Sequence, residues 1–323
     1  GDRYIFSVAR TAAKLPASVL YMENPIYIGW MGLAALLFAA AWFLRGKHHF
    51  RPAFPAALAV ITLCFAILVT NAAAVSLPGR ITVLNVGQGQ SIVMLAGGAT
   101  VMIDCGGEGT SDDPGETAAE YLLARGRRRV DVLVLTHLHE DHVNGVMSLM
   151  ALMPVEKLVM APDLDDSDGL LEGILESARE DRTEVCYVGS DTQVSCGDIR
   201  LMIYAPRASG DENERGLIIR GSIGAFDALI TGDAGATTER ELVADEDIGE
   251  TELLVVGHHG SRYSTGLELM EALRPKYAVI SVGYNHFGHP TAEAIARATG
   301  FDAELYRTDL NGNVTFNVGE YDG

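Results

Sequence analysis

Residues 130–142 read VDVLVLTHLHEDH: an apolar run of strand length, then three histidines and two acids within six residues. A short apolar run bounded by polar residues reads as a buried strand. On extended backbone His137 and His139, two apart, point to one side. Asp141 and His142 follow in a turn leading into a helix and approach the same point from another direction. Imidazole nitrogens and carboxylate oxygens are the donors that zinc and related transition metals take. The four donors divide naturally into two sites, His137 with His139 and Asp141 with His142. The alternative is a solvated polar turn, but it gives no reason for three histidines to gather behind a buried strand.

Four donors are too few for two metals, so others are expected elsewhere. LITGDAG sets Asp233 just past an apolar run, and LLVVGHHGS sets His258 and His259 past another. MIDCGG ends a third run on Asp104, and GYNHFGHP adds Asn285, His286 and His289 after a fourth. Alone, Asp233 reads first as a helix-starting Asp, and Asp104 as a turn residue. Together the pattern is far more specific: seven of nine histidines sit just past strand ends, where sites are usually assembled. NVGQGQS (85–91) is a glycine-rich link without the lysine of a P-loop. It reads as a tight hairpin, or as a source of backbone N–H groups near a phosphate. RGRRRV (125–130) reads first as a cationic helix end, with a nucleic-acid contact as the alternative.

The net charge of −19 conceals a break. Residues 1–80 hold seven Lys/Arg and two acids, leaving 17 basic and 41 acidic residues beyond. An acidic half excludes a broad electrostatic footprint for nucleic acid, though not a local groove served by metal charge. Residues 26–44 and 53–75 carry no charge and are each long enough to span a bilayer as a helix. Tyr27, Trp30 and Trp42 lie near the ends of the first, as interfacial aromatics do. The intervening RGKHHFRP carries Arg45, Lys47 and Arg51, which predicts a cytoplasmic loop and an extracytoplasmic acidic domain. Residues 4–21 are weakly amphipathic. The chain begins with Gly rather than Met and is expected to be a piece of a longer protein. Domains are expected at 1–80 and 81–323. Cys186 and Cys196 would either close a hairpin by a disulfide or remain thiols.

Strands are expected at 81–86, 91–96, 100–104, 130–135, 157–161, 184–188, 199–205, 216–221, 226–231, 251–257, 276–282 and 313–318. Helices are expected near 115–126, 143–152, 168–181, 235–243, 266–273 and 291–299. Paired strands mixed with alternating strand–helix units fit a two-sheet core with helices outside.

Taken together, NVGQGQS, THLHEDHVNG, LITGDAG, HHGSRYS and NHFGHP resemble the metallo-β-lactamase superfamily. More narrowly, their order is similar to that in the C-terminal domain of ComEC-family DNA-internalisation proteins. The resemblance implies an α/β fold, an αββα sandwich preceded by two transmembrane helices, with two divalent metal ions, Zn²⁺ or Mn²⁺. It implies His137 and His139 on one metal, Asp141 and His142 on the other, Asp233 bridging, and His258 or His259 completing the set. Asp104 would orient the metal loop. Asp141, Asp104, His289 and Ser261 are the expected catalytic residues, with Ser264 and Asn285 as further phosphate contacts. The implied function is DNA uptake with hydrolysis of the strand that is not imported. The implied partners are single-stranded DNA, the membrane and other competence-machinery proteins. The departures are Asn85 and Gln90, where the family has acids, and the lack of any histidine over 143–232. Asn85 and Gln90 motivate one alternative, a non-catalytic DNA guide or gate; a second is a hydrolase of another ester or lactone on the same metal site.

Overall fold

The computed structural model describes residues 25–44, 53–76, 78–110, 112–164, 166–207, 213–246 and 248–319. The amphipathic stretch 4–21 and the basic link 45–52 lie outside them. The described residues form two compact units, one of 25–76 with 121–127 and one of 78–120 with 128–319.

The first unit contains helices α1 (Pro25–Leu44) and α2 (Ala53–Ser76). Both are long and apolar enough to cross a membrane. Their apolar side chains stand exposed on several faces, Phe43 being 88% exposed. That pattern suits an apolar surrounding. Tyr27 and Trp30 also bond to the neighbouring helix. Tyr27 Oη lies 2.8 Å from Thr70 Oγ1, and Trp30 Nε1 donates to the Ala59 carbonyl at 3.1 Å. These polar handles join the two helices to each other.

The second unit is a sandwich of two seven-stranded sheets, ordered β14-β1-β2-β3-β4-β5-β6 and β13-β12-β11-β10-β9-β8-β7. The first sheet contains β1 (Arg80–Val83), β2 (Ser91–Ala96), β3 (Ala99–Cys105), β4 (Val130–Val134), β5 (Val155–Met160), β6 (Glu184–Tyr187) and β14 (Val314–Asn317). The second contains β7 (Thr192–Cys196), β8 (Ile199–Tyr204), β9 (Ile218–Ile223), β10 (Phe226–Ile230), β11 (Leu253–Val255), β12 (Tyr277–Ile280) and β13 (Glu304–Arg307). Each sheet has three antiparallel pairings at one end and three parallel ones at the other.

Alternation builds the core. Ile81, Val83, Ile92, Met94, Val101 and Ile103 face Ile199, Leu201, Ile219, Ala228 and Ile230 across the sandwich, all fully buried. The intervening residues face outward under helices. Leu229 and Leu254 pack beneath α7 (Ala236–Asp245) and α8 (Leu267–Leu273) through Leu242, Leu269 and Leu273. At Gly221 a Cβ would meet Met94 Sδ at 2.6 Å, so this glycine sets the close approach of the sheets.

Two expectations are corrected and one open alternative is decided. The strand expected at 81–86 ends at Val83, where the glycine-rich link begins. The helix expected at 143–152 is two short pieces, α4 (Glu140–Val143) and α5 (Val146–Leu152). It breaks at Gly145, whose N–H donates to the Cys105 carbonyl at 2.9 Å instead of continuing the helix, and where a Cβ would lie 2.4 Å from the Gly115 nitrogen. Cys186 and Cys196 are free thiols. Their strands, β6 and β7, are edge strands of different sheets and form no hairpin. β7 and β13, which sequence patterning does not reveal, are both edge strands with half-exposed patterns.

Candidate metal centre

The centre gathers at the C-terminal ends of β3, β4, β10 and β11. β4 delivers Thr136-His137-Leu138-His139, and α4 then carries Asp141 and His142. Two donor groups result: His137, His139 and Asp233, and Asp141, His142 and His259. Within each group the donor atoms lie within 4.8 Å of one another. His137, His142, Asp233 and His259 are all buried.

Asp233 stands between the groups. Its Oδ1 is 3.1 Å from His142 Nε2 and 3.7 Å from His259 Nε2. Its Oδ2 is 3.4 Å from His258 Nε2 and 3.9 Å from His137 Nε2. His259 Nε2 also lies 3.1 Å from Asp141 Oδ2. His258 lies outside both groups and faces the pocket.

The outer hydrogen bonds assign the tautomers. His142 Nδ1 donates to Asp104 Oδ2 at 2.7 Å. His259 Nδ1 donates to the Ser281 carbonyl at 2.9 Å. Thr136 Oγ1 donates to Asp104 Oδ2 at 2.7 Å, which leaves it to accept from His137 Nδ1 at 3.0 Å. Each ring therefore presents its Nε2 lone pair to the centre. His142 Nε2 and His259 Nε2 then face each other at 3.3 Å with Asp233 Oδ1 beside them. With both Nε2 atoms unprotonated, that buried carboxylate oxygen receives no hydrogen bond. Lone pairs converging in a dry site need a cation between them, so the donor set fits divalent metals. Without one, protons fill the role. Burial lowers the His142 pKa, but facing Asp233 and Asp104 outweigh it and hold it well above the ordinary imidazole range. Burial and neighbouring His142 instead keep His137 well below that range.

Asp104 organises this arrangement. It sits at φ 57° at the end of β3, with no exposed surface. Its carboxylate accepts from Thr136 N, Thr136 Oγ1, His142 Nδ1 and Gln90 Nε2, each at 2.7 Å. Gln90 thus lies behind Asp104, and Asn85 is held to Asn313 Oδ1 through its own N–H. Neither lines the pocket. The amides of Gln88 and Gln90 are engaged by the Glu108 and Asp141 carbonyls at 2.8 and 3.0 Å, so these two offer nothing to a phosphate. The glycine-rich link serves packing instead: at Gly89 a Cβ would meet Asp141 O at 2.4 Å.

Beside the centre opens a pocket of about 310 Å³ whose lining includes His139, Asp141, Asp233, His258, His259 and His289. Ser261 and Ser264 are buried and do not line it. The Ser261 hydroxyl accepts from Tyr263 N, closing a turn. Asn285 is fully engaged within its own loop and has nothing left for phosphate. The arginine cluster follows its helix-end reading: Arg125 lies over the Tyr121 ring at 3.5 Å, and Arg129 pairs with Asp131 and Glu156.

Sequence reasoning missed Thr136, whose place directly before the first histidine was the only signal. It also missed Glu239, buried on α7. Glu239 accepts from Thr265 N and Gly266 N, both at 2.7 Å, and Thr265 Oγ1 accepts from Gly257 N at 3.0 Å. It thereby holds the loop that presents His258 and His259 at φ 48° and 52°. Burial raises its pKa to about 7 despite those two amides, with Glu214 adding to the rise and Arg297 opposing it. The unfolded value is about 4.5. Between the two values the folded state binds the extra proton, so this contribution to stability is present at low pH and is lost as pH rises through 7. The loss is on the order of 2–3 kcal/mol. Thermal unfolding of Glu239→Gln compared with wild type from pH 5 to pH 8 should show a flatter pH dependence in the variant. Parallel curves would refute the assignment.

Comparison with known proteins gives the family. The family profile of the metallo-β-lactamase superfamily matches residues 84–284, more than half of the chain. The chain is 29% identical over 255 residues to ComE operon protein 3 of Bacillus subtilis, covering 74% of this chain and 33% of that protein. It is 30% identical over 241 residues to competence protein ComA of Neisseria gonorrhoeae, covering 74% and 32%. The chain thus spans about a third of the length of these curated relatives. The crystal structure of the metallo-β-lactamase fold protein YhfI from Bacillus subtilis overlays with a TM-score of 0.53 at 11% identity, covering 74% of this chain and 99% of that one. Two sheets flanked by helices, strand-end histidines and a matching profile make this chain a member of the metallo-β-lactamase superfamily.

Proposed function

We propose that this chain is the metal-dependent phosphodiesterase portion of a DNA-uptake membrane protein, acting on the strand that is not imported. The observation that carries this reading is Asp233, with one oxygen turned toward each of two histidine groups. Similarity to competence proteins supplies the nucleic-acid context. His137 and His139 would hold one divalent ion, Zn²⁺ or Mn²⁺. Asp141, His142 and His259 would hold the other, with Asp233 shared. Ions bound there would neutralise charge on the phosphoryl oxygens and make water a nucleophile near neutral pH.

The chain's own residues prepare that chemistry. Thr136, Asp104 and the Ser281 carbonyl fix the three imidazole tautomers. His258 and His289 face the pocket beside Asp233, where a phosphodiester and its leaving oxygen would sit. Burial, followed by the charges of His258 and His259, lowers the His289 pKa, so a proton held there is readily given up. The helices α1 and α2 would span the membrane. The basic link between them would be cytoplasmic by the positive-inside rule, which puts the acidic domain outside. Single-stranded DNA and other competence-machinery proteins are the proposed partners. Asn85 and Gln90 motivate a second reading, a non-catalytic guide; both lie off the pocket, and Gln90 reaches the centre through Asp104.

The wild-type chain in detergent should cut single-stranded DNA with Mn²⁺ or Zn²⁺, and His137→Ala should be at least about 100-fold slower. No cleavage by the wild type, or equal cleavage by the variant, would sink the proposal. Faster turnover of lactones or small esters than of DNA would redirect it to another hydrolase class.

A further inference from the structure

The pocket lining is divided in character. One part carries Glu108, Glu140 and Asp168. Burial raises the Glu108 pKa, and the charges of Glu140, Asp141 and Asp168 raise it further. A phosphate chain is repelled from that part. Another part is a file of rings leading away from Asp233. His258 Nε2 lies 3.4 Å from Asp233 Oδ2, the His289 ring 5.5 Å from that of His258, and the Phe287 ring 5.9 Å from that of His289. Phe287 is 73% exposed, and Tyr284 on the same loop is 77% exposed.

An isolated exposed aromatic is ordinary. Two features set Phe287 apart. It lines the pocket of the metal centre. Its loop is also pinned: Asn285 Nδ2 donates to the Gly283 and His289 carbonyls at 2.9 and 2.8 Å, and Asn285 Oδ1 accepts from Phe287 N and His289 N at 3.1 Å. The phenyl ring is therefore held in water on a preorganised support, ready to be covered at little entropic cost. Arg262, exposed on the neighbouring loop, acts electrostatically on His289.

With 41 acids against 17 basic residues beyond position 80, the domain cannot hold a nucleotide strand by phosphate attraction over its surface. The uncharged part of the strand is the face of an unpaired base, and aromatic rings hold it by stacking. We propose that Phe287 is the stacking platform for an unpaired base next to the phosphate at the metal centre, and so selects single-stranded nucleic acid over duplex. This rests on the phosphodiesterase reading above.

The test uses the full chain in detergent with Mn²⁺ and phosphorothioate-linked strands that resist hydrolysis. One strand carries 2-aminopurine, a second ordinary bases and a third abasic sites. Stacking should quench 2-aminopurine in the wild type, and Phe287→Leu should abolish the quench while keeping apolar bulk. The variant should bind the ordinary strand about 5- to 100-fold more weakly. Both proteins should bind the abasic strand alike. Unchanged affinity in Phe287→Leu, or an equal loss for the abasic strand, would overturn the proposal. If the wild type cuts no DNA yet shows the Phe287-dependent quench, the stacking site stands and only the phosphodiesterase reading fails.

Discussion

Replacing Asp233 by alanine is expected to take metal from both donor groups at once and to lower phosphodiester cleavage by more than about 10³-fold. The expectation follows from its two oxygens. Oδ1 faces His142 and His259, and Oδ2 faces His137 and His258. His137→Ala removes a donor from one group only, so its metal content should fall toward one ion per chain. Asp233→Ala should fall toward none. Elemental analysis after reconstitution, with circular dichroism to confirm folding, distinguishes the two. If Asp233→Ala retained the wild-type metal content while losing cleavage, Asp233 would be a substrate contact and the bridging role would be wrong. Fewer than one metal on the wild type would favour a non-catalytic guide.

Much of this arrangement is legible in the chain because β-strands deliver their ends to a common edge. Apolar runs at 91–96, 130–135 and 226–231 are buried strands on period and composition, and the polar residue that follows each must emerge where the sheet stops. That is how Asp233 and the His137 loop are found far apart in sequence and close in space. The choice between His258 and His259 is not legible. It depends on two consecutive left-handed residues, which turn His259 inward to Ser281 O and leave His258 in the pocket. Nothing in the composition of HHGS announces that conformation. Glu239 is invisible for a related reason. On α7 it reads as an ordinary helix acid, and only tertiary packing buries it beneath the loop. Ser261 and Asn285 have the chemistry of phosphate contacts, but local turns claim their side chains. Short polar side chains bond to nearby backbone as readily as to ligands, so type and proximity to a motif overstate their role. The edge strands β7 and β13 escape notice because half-exposed strands lack the apolar run that marks central ones.

Asp104→Asn is the second large effect, and it acts without touching substrate. Four donors converge on the Asp104 carboxylate, three of them on Oδ2. Asparagine fits the same space and tolerates the same positive φ, so the backbone should be unchanged. Its amide nitrogen, however, must face at least one of those donors in either orientation. If the nitrogen takes the Oδ2 position, His142 Nδ1 loses its acceptor, and the ring is driven to the tautomer that points a proton at the centre. If it takes the Oδ1 position, the Thr136 amide is left buried and unpaired, at a cost of about 1–3 kcal/mol. Removing the charge also weakens the remaining bonds to Asp104. The metal affinity of the His142 group should fall by about 10- to 100-fold. Affinity of the His137 group should fall less, since Asp104 reaches it only through Thr136. Titration with Zn²⁺ against a competing chelator would resolve the two steps. Equal weakening of both steps would mean that Asp104 supports the loop as a whole. No weakening at all would show that the ring orientations are set elsewhere.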